Sequence, residues 1–311
     1  MELLVKVPLL IIGFALLVKG ADVFVDGSVS AAKLLGVPAV IIGLTIVSMG
    51  TSAPEAAVSI TAGIKGSNEI AISNLVGSNT FNMLCVAGVS ALITPFFVDK
   101  TVLKRDFPFS LALMALLAVM AFTGKTISRI EGAVLFVIFI SYIAYLIRNA
   151  IKNREKSNNN EKPMSPAKSI IFILIGIAAI ICGGKLVVGS AKVIAVFFGM
   201  TETFIGVTVI AIGTSLPELV TSIVAAKKGQ SDIAIGNVVG SNIFNITFVL
   251  GMSSALNPIA IVDESLIDAI VMIAVNIVGF MFCLTTKKFN RAEGLIMVCM
   301  YAFYTGYLLI R

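Results

Sequence analysis

Two glutamates are unusual in this sequence because each lies within a long apolar stretch. Glu55 ends the segment GTSAPE, and Glu218 ends the related segment GTSLPE. A carboxylate at membrane depth costs on the order of several kcal/mol unless a cation or another partner compensates its charge. Neither segment contains lysine or arginine, so the two glutamates predict a bound cation.

Oxygen-bearing side chains accompany each glutamate at helical spacing. Thr51 and Ser52 lie four and three positions before Glu55, while Ser78 and Asn82 lie four apart, so each pair can share a helix face. Serine and threonine in membrane helices often bond only to their own backbone, but here the whole set recurs around Glu218. The candidate ligands are Thr51, Ser52, Glu55, Ser78, Asn82, Thr214, Ser215, Glu218, Ser241 and Asn245.

The glycine and proline of each segment disfavour a continuous helix. Pro54 has no N–H with which to close the preceding turn. Carbonyls near Ser48 and Gly50, and near Ala211 and Gly213 in the second segment, are therefore expected to be freed. The donor set contains only oxygen, which suits Na⁺ and Ca²⁺ better than Mg²⁺, Zn²⁺ or copper. The chain has no histidine, and its four cysteines lack metal-ligand spacing.

The composition predicts an all-α polytopic membrane protein. Of 311 residues, 58% are hydrophobic and 13% charged, the mean hydropathy is +1.03, and the apolar runs are about 20 residues long. We interpret the N-terminal run as a span and not as a signal peptide. Ten spans are predicted near 3–20, 38–63, 70–94, 107–123, 130–147, 169–188, 201–226, 233–256, 266–285 and 293–310, with the first and sixth able to extend further.

The two halves of the chain match each other. A shift of 163 residues, from Glu55 to Glu218, also superposes NLVGSNTFN on NVVGSNIFN. Because the matches include glycine, proline and polar residues, they indicate an internal duplication. We predict a first five-helix repeat over 1–147, a linker over 148–168 and a second five-helix repeat over 169–311. An odd number of spans per repeat inverts the second copy in the membrane, as in many secondary transporters.

Charge distribution predicts the orientation. Lysine and arginine are concentrated in the 148–168 loop and in the other loops on its side of the membrane. The positive-inside bias therefore places that loop in the cytoplasm and both termini outside, in a multi-pass protein of the cell membrane. The same bias explains the net charge of +6 without nucleic acid.

The paired motifs GTSAPE with GSNTFN and GTSLPE with GSNIFN resemble the two α-repeats of sodium/calcium exchangers, in the calcium/cation antiporter superfamily. The chain resembles a compact prokaryotic-type member. The resemblance implies that Glu55 and Glu218 hold Ca²⁺ or Na⁺, and that the carbonyls of Ser48 and Ala211 are outer Na⁺ ligands. It further implies that the first and sixth helices slide as a gate. We expect electrogenic antiport by alternating access, lipid as the surroundings, a functional monomer, no cofactor and no enzymatic activity.

Asn245 is the one departure from the resemblance, since some members carry aspartate there. It leaves proton or potassium coupling open, so a Ca²⁺/H⁺ exchanger and a K⁺-dependent Ca²⁺ exchanger remain alternatives on the same scaffold. A cation channel is a third alternative, since oxygen-lined constrictions also conduct. An intramembrane hydrolase is disfavoured because the motifs contain no histidine, lysine or cysteine.

Overall fold

The computed structural model describes residues 2–152, 163–200 and 211–310, and these are almost entirely helical. Within these ranges, eight helices are long and apolar enough to cross a membrane, and a bent pair can make a ninth span. The helices are α1 Glu2–Leu35, α2 Ala39–Thr51, α3 Ala53–Ile64, α4 Glu69–Ile93, α5 Val102–Gly124, α6 Arg129–Lys152, α7 Pro166–Phe197, α8 Ala211–Thr214, α9 Leu216–Lys227, α10 Ser231–Leu256, α11 Asp263–Thr286 and α12 Arg291–Ile310.

The predicted class is confirmed, and several predicted bounds change. Helices α1 and α7 extend well past the first and sixth predicted spans, as their sequences allowed. The predicted span 38–63 is the bent pair α2 and α3. The predicted span 201–226 begins among residues outside the described ranges, and its described part is α8 and α9. The 148–168 linker narrows, since α6 continues to Lys152 and α7 begins at Pro166, while 153–162 lie outside the described residues.

Helices α1 and α7 pack against each other along glycines. An added Cβ at Gly20 would lie 3.1 Å from the carbonyl oxygen of Gly176, and one at Gly13 would lie 3.0 Å from that of Gly183. The paired numbers run in opposite directions, so the two helices are antiparallel. Small residues let membrane helices approach closely where hydrophobic burial supplies no driving force. The two helices therefore form one closely packed unit.

Helices α4 and α10, which carry the GSNTFN and GSNIFN motifs, pass through the centre of the molecule. Within its most apolar window, α10 is 94% buried and α4 78%, against 17% for α1. Gly240 of α10 packs on α2, because an added Cβ there would lie 2.8 Å from both the Cα of Leu44 and the Oγ of Ser48. Gly240 therefore lets the backbones of α10 and α2 approach closely. At Gly77 no described atom lies within 4 Å of an added Cβ, and the counterpart of Leu44, residue 207, lies outside the described residues.

Two short antiparallel ladders join the halves of the chain. Strand β1 Phe96–Phe97 pairs with β4 Lys288–Phe289, and β2 Thr126–Ile127 pairs with β3 Ile259–Ala260. Strands β1 and β2 flank α5, so the two ladders lie at opposite ends of that helix. Each ladder satisfies main-chain groups where a helix ends.

A π-helical turn at Val102–Asp106 begins α5, whereas α11 has none in its range. Such a turn accommodates one extra residue. Beyond it the repeats align at a shift of 162 instead of 163, as the left-handed residues Lys125 (φ 48°) and Lys287 (φ 54°) show. Asp106 therefore corresponds to Asp268, and Met114 to Asn276.

Candidate cation site

Both glutamates lie in the first turn of a helix that follows a break. Ser52 (φ −81°, ψ 9°) separates α2 from α3, and the two helices meet at an angle of 53°. Ser215 (φ −93°, ψ 7°) separates α8 from α9 in the same way. The predicted interruptions are confirmed at these two residues. Glu55 and Glu218 thereby sit at helix N-termini, where main-chain N–H groups favour negative charge.

The two broken helices exchange hydrogen bonds between serine and glutamate. Ser52 Oγ donates to Glu218 Oε1 at 2.7 Å, and Ser215 Oγ donates to Glu55 Oε1 at 2.9 Å. The Ser215 hydroxyl also lies 3.2 Å from that of Ser78. Each glutamate is therefore oriented by the serine that precedes the other one. Both glutamates are 1% exposed, so residues 163 positions apart form one buried cluster.

Each of these carboxylates keeps one oxygen that accepts no hydrogen bond from the described residues. Glu55 Oε2 and Glu218 Oε2 are buried and accept none from the described residues, and the same holds for Asn82 Oδ1 and Asn245 Oδ1. Ser241 Oγ is likewise buried and unpaired in that part of the chain. Buried polar atoms without partners are rare in proteins and call for an explanation such as an ion. Two carboxylate and two amide oxygens are a donor set for a hard cation.

The amide oxygens are oriented by a second crossed pair of contacts. Asn82 Nδ2 donates to Asn242 Oδ1 at 3.2 Å, and Asn245 Nδ2 donates to Asn79 Oδ1 at 3.0 Å. Because each NH₂ group is engaged by the opposite half, each Oδ1 is turned away from its partner. A π-helical turn begins at Asn82 and another at Asn245. The second motif helix of each half is thus deformed without being interrupted.

Two further asparagines, Asn237 and Asn74, donate hydrogen bonds to the helices that carry the glutamates. Asn237 Nδ2 donates to Ser222 Oγ at 2.9 Å and to the Glu218 carbonyl at 3.3 Å. Its Oδ1 accepts from Thr51 Oγ1 at 2.9 Å. Asn74 makes the corresponding contacts to Ser59 Oγ at 2.8 Å and to the Glu55 carbonyl at 3.4 Å. These bonds fix the turn on which each glutamate sits.

The structure differs from the expectation for the Ser48 carbonyl. That oxygen is not free, since Ser52 N donates to it at 3.0 Å and Thr51 Oγ1 lies 3.3 Å from it. A carbonyl oxygen has a second lone pair, so it remains able to bind a cation. In the second half, Ala211 begins α8 and Thr214 ends it.

In the part of the chain that the structure describes, no lysine or arginine neutralises the cluster. Among the described residues, neither Glu55 nor Glu218 has a lysine or arginine within ion-pair distance. The same residues contain no group of three histidine, cysteine, aspartate or glutamate side chains able to hold a metal. A cation here would therefore be held by the two carboxylates together with neutral oxygens.

Four bracing asparagines were missed by the sequence reasoning, although a signal for them was present. Asn74 and Asn237 start the two matching nonapeptides, and Asn79 and Asn242 are their sixth residues. Their recurrence at the same shift as the candidate ligands marked them as part of the site. Asn276 was also missed, but its counterpart is Met114, so repetition carried no signal for it.

Outside the cluster, Lys228 at the end of α9 forms ion pairs with two aspartates of α1. Lys228 Nζ lies 2.8 Å from Asp22 Oδ1 and 2.6 Å from Asp26 Oδ1. Partial burial lowers the pKa of Lys228, but the hydrogen bonds to the two carboxylates outweigh it and leave the pKa above its ordinary value. The shift of 163 places Lys65, Lys185 and Gly189 at the corresponding positions, so the other half lacks these acids.

Comparison with known proteins agrees with this arrangement. The family model described as sodium/calcium exchanger protein matches residues 5–148 and again residues 168–310. The chain is 37% identical to a putative antiporter, CaxA, of Alkalimonas amylolytica, over 97% of this chain and 98% of that protein. It is 34% identical to the sodium/calcium exchanger MaX1 of Methanosarcina acetivorans, over 97% of each chain.

The fold matches that of a solved exchanger. A structure of the sodium-calcium exchanger NCX_Mj, soaked without Na⁺ and Ca²⁺, superposes with a TM-score of 0.86 at 31% identity. The superposition covers 98% of this chain and 99% of the other. A second structure of NCX_Mj, soaked with Na⁺ and Ca²⁺, gives a TM-score of 0.84 over 96% and 97% of the two chains.

Proposed function

Because this multi-pass membrane protein belongs to the sodium/calcium exchanger family, we propose that it exchanges Na⁺ for Ca²⁺ by alternating access. The observation that carries the proposal is the set of buried oxygens that accept no hydrogen bond from the described residues: Glu55 Oε2, Glu218 Oε2, Asn82 Oδ1 and Asn245 Oδ1. Ca²⁺ accepts six to eight oxygen ligands in irregular geometry. The neutral oxygens of Thr51, Ser52, Ser78, Thr214, Ser215 and Ser241, with the carbonyls of Ser48 and Ala211, complete the proposed ligand set.

We assign the chain ten spans in two inverted repeats of five. The two matches to one family model support the duplication, and the ladders support the inversion. Strand β1 corresponds to β3 at the shift of 163, yet β3 pairs with β2 at the far end of α5. Equivalent strands therefore lie at opposite ends of the molecule, as an inverted repeat requires. The tenth span would include residues 201–210.

The charge of the site makes the proposed exchange electrogenic. Two ionised glutamates are neutralised by one Ca²⁺, whereas the three Na⁺ that the resemblance implies would leave an excess charge of one. Each elementary charge moved across the membrane responds to voltage by about 2.3 kcal/mol per about 100 mV. We place the protein in the cell membrane as a monomer, with both termini outside and the 148–168 linker in the cytoplasm.

Flux in liposomes tests the proposal. Purified protein, reconstituted with Na⁺ inside, should take up radioactive Ca²⁺ only while an outward Na⁺ gradient exists. An imposed voltage should change the rate in the direction that three positive charges exchanged for two require. Glu69→Gln is a matched control, because Glu69 is an exposed acid on α4 and its replacement should leave uptake unchanged.

The same assay separates the alternatives. Uptake driven by a pH gradient without Na⁺ would identify a Ca²⁺/H⁺ exchanger, and an absolute requirement for K⁺ would identify a K⁺-dependent one. Flux that does not saturate and runs without any counter-ion would indicate a channel. Uptake that needs no Na⁺ gradient would reject the sodium-coupled proposal.

A further inference from the structure

A row of three side-chain amides connects the cation site to a main-chain carbonyl on α11. Asn82 Nδ2 donates to Asn242 Oδ1 at 3.2 Å, Asn242 Nδ2 donates to Asn276 Oδ1 at 3.1 Å, and Asn276 Nδ2 donates to the Met272 carbonyl at 2.8 Å. Asn242 and Asn276 are each 1% exposed. Neither belongs to the ligand set proposed above.

The direction of this row is set at its far end. A carbonyl oxygen only accepts hydrogen bonds, so Asn276 must present its NH₂ group to Met272 and its Oδ1 to Asn242. Asn242 must then present its NH₂ group to Asn276 and its Oδ1 to Asn82. Asn82 in turn must donate, which leaves its own Oδ1 as the atom turned toward the site.

The opposite orientation of Asn82 would defeat cation binding. An amide NH₂ group carries partial positive charge and has no lone pair to offer. If the Asn82 side chain were reversed, two hydrogens would face the ion in place of an oxygen. Only the row of amides distinguishes the two orientations, because the NH₂ group and the carbonyl oxygen of asparagine have nearly the same size and shape.

We propose that Asn276 is a positioning residue for the cation site: acting through Asn242, it holds Asn82 with its carbonyl oxygen toward the ion. The inference rests on the proposed function, since it concerns one of the proposed ligands. Among the described residues Asn276 makes its side-chain hydrogen bonds to Asn242 and to the Met272 carbonyl and not to a proposed ligand, so its effect should pass through Asn82 alone. Asn245 is independent of it, because its partner Asn79 donates directly to the Asn242 main-chain carbonyl at 3.4 Å.

Two substitutions of Asn276 should differ in their effect on the KM for Ca²⁺. Asn276→Leu keeps the volume but removes the acceptor for Asn242, and the loss of one orienting hydrogen bond should raise the KM for Ca²⁺ about fivefold to tenfold with kcat nearly unchanged. Asn276→Asp should restore the ordinary KM, because a carboxylic acid that stays protonated away from water can donate to Met272 and accept from Asn242. Cys283→Ala is the control, because it alters another buried residue of α11 outside the row and should change nothing.

A double-mutant cycle shows whether the effect passes through Asn82. Equilibrium binding of radioactive Ca²⁺ to the purified protein is the readout, so that variants without transport are still informative. Adding Asn276→Leu to Asn82→Ala should weaken binding no further, whereas adding it to Asn245→Ala should weaken binding by the same factor as in the unmodified protein. A general loss of stability would weaken binding in both backgrounds and would overturn the proposal.

The outcomes also separate this proposal from the proposed function. If the unmodified protein shows no Na⁺-dependent Ca²⁺ uptake, the proposed function is wrong. If the unmodified protein exchanges the two ions and Asn276→Leu has an ordinary KM and ordinary Ca²⁺ binding, only the role of Asn276 is wrong.

Discussion

The two halves of the molecule contribute the same residue types to the cation site, but they support them differently. In each half a serine orients the glutamate of the other half, and a central asparagine orients the other half's amide ligand. Asn245 is held by a short row, from Asn79 to a main-chain carbonyl. Asn82 is held by a longer row that needs Asn276, for which the first half has Met114.

The difference shows that the duplication preserves the ligands more strictly than their supports. Ligand identity is constrained by the ion, because only oxygen atoms serve a hard cation. A support has only to fix the direction of a hydrogen bond, and any acceptor with a defined direction can do so. The comparison can be tested by changing equivalent residues in the two halves.

Replacing either glutamate should have the largest effect, and the effect should be equal in the two halves. Glu55→Gln and Glu218→Gln each remove one of two charges from a buried site, and an uncompensated change of this kind costs about 3–5 kcal/mol, or more than about a hundredfold in rate. Na⁺-dependent Ca²⁺ uptake in liposomes measures it. Near-normal uptake by one variant alone would show that the two halves are not equivalent at the ion.

Replacing the serines that orient the glutamates should have the second-largest effect, and the effects at the two serines should differ. Ser215 lies near both Glu55 and Ser78, whereas Ser52 has one recorded side-chain partner, Glu218. Hydrogen bonds to charged groups contribute about 1.5–3 kcal/mol, so Ser215→Ala should raise the KM for Ca²⁺ by about tenfold or more, and Ser52→Ala by less. Equal values would mean that the Ser78 contact contributes nothing.

Adding a third carboxylate should be tolerated better in the second half. Asn245→Asp needs Asn79 to reverse, at the loss of its 3.4 Å bond. Asn82→Asp needs both Asn242 and Asn276 to reverse; the bond between them re-forms in the opposite direction, but the shorter bond of 2.8 Å from Asn276 to the Met272 carbonyl is lost. Losing a short hydrogen bond instead of a long one differs by about 1 kcal/mol or less, which corresponds to a difference of up to roughly fivefold in uptake. The reverse ranking would mean that the longer row does not constrain Asn82.

Removing the ion pairs of Lys228 should have the smallest effect. The sequence supplies the two aspartates for such a lysine in only one of the two repeats. Lys228→Met should shift the ratio of the Ca²⁺ KM values at the two membrane faces by about threefold, because half-exposed ion pairs contribute about 1 kcal/mol or less. Lys65→Met, at the equivalent position, should leave the ratio unchanged.

The pH dependence of these ion pairs follows from the raised pKa of Lys228. A raised pKa means that their stabilising contribution is fully present below the ordinary pKa of lysine and is lost only as the pH rises through the higher value. The ratio of KM values should therefore stay constant from about pH 6 to about pH 9. A change within that range would assign the pH dependence to another group.

Much of the fold was predictable because hydrophobic length and helix-breaking residues are local signals. Pro54 and Gly50 marked the break between α2 and α3, and its counterpart in the second half followed by repetition. The sequence showed that α1 and α7 could extend beyond the predicted spans, but not where they end. A long helix can leave the hydrocarbon layer without a change in its residue pattern. The π-helical turns that begin at Asn82 and Asn245 had no sequence signature.

The site was predictable where residues recur and unpredictable where a contact crosses between halves. Repetition placed ten candidate side chains in two matching sets, but it could not show that Ser52 bonds Glu218 and not Glu55. Asn276 shows the limit most clearly, because an amide inside an apolar helix has no repeat partner and no motif. Its role depends on a neighbour 34 positions away in sequence.

By itself, the sequence determined the membrane class, the duplication and the types of oxygen that an ion would meet, because hydropathy, repetition and side-chain chemistry are properties of the chain alone. Only the tertiary structure decided which oxygen of each group is left for the ion. That choice depends on where every neighbouring donor is already engaged, from Ser52 and Ser215 across the two halves to Asn276 on α11. Hydrogen bonds between distant residues have direction, and direction is set by packing in three dimensions.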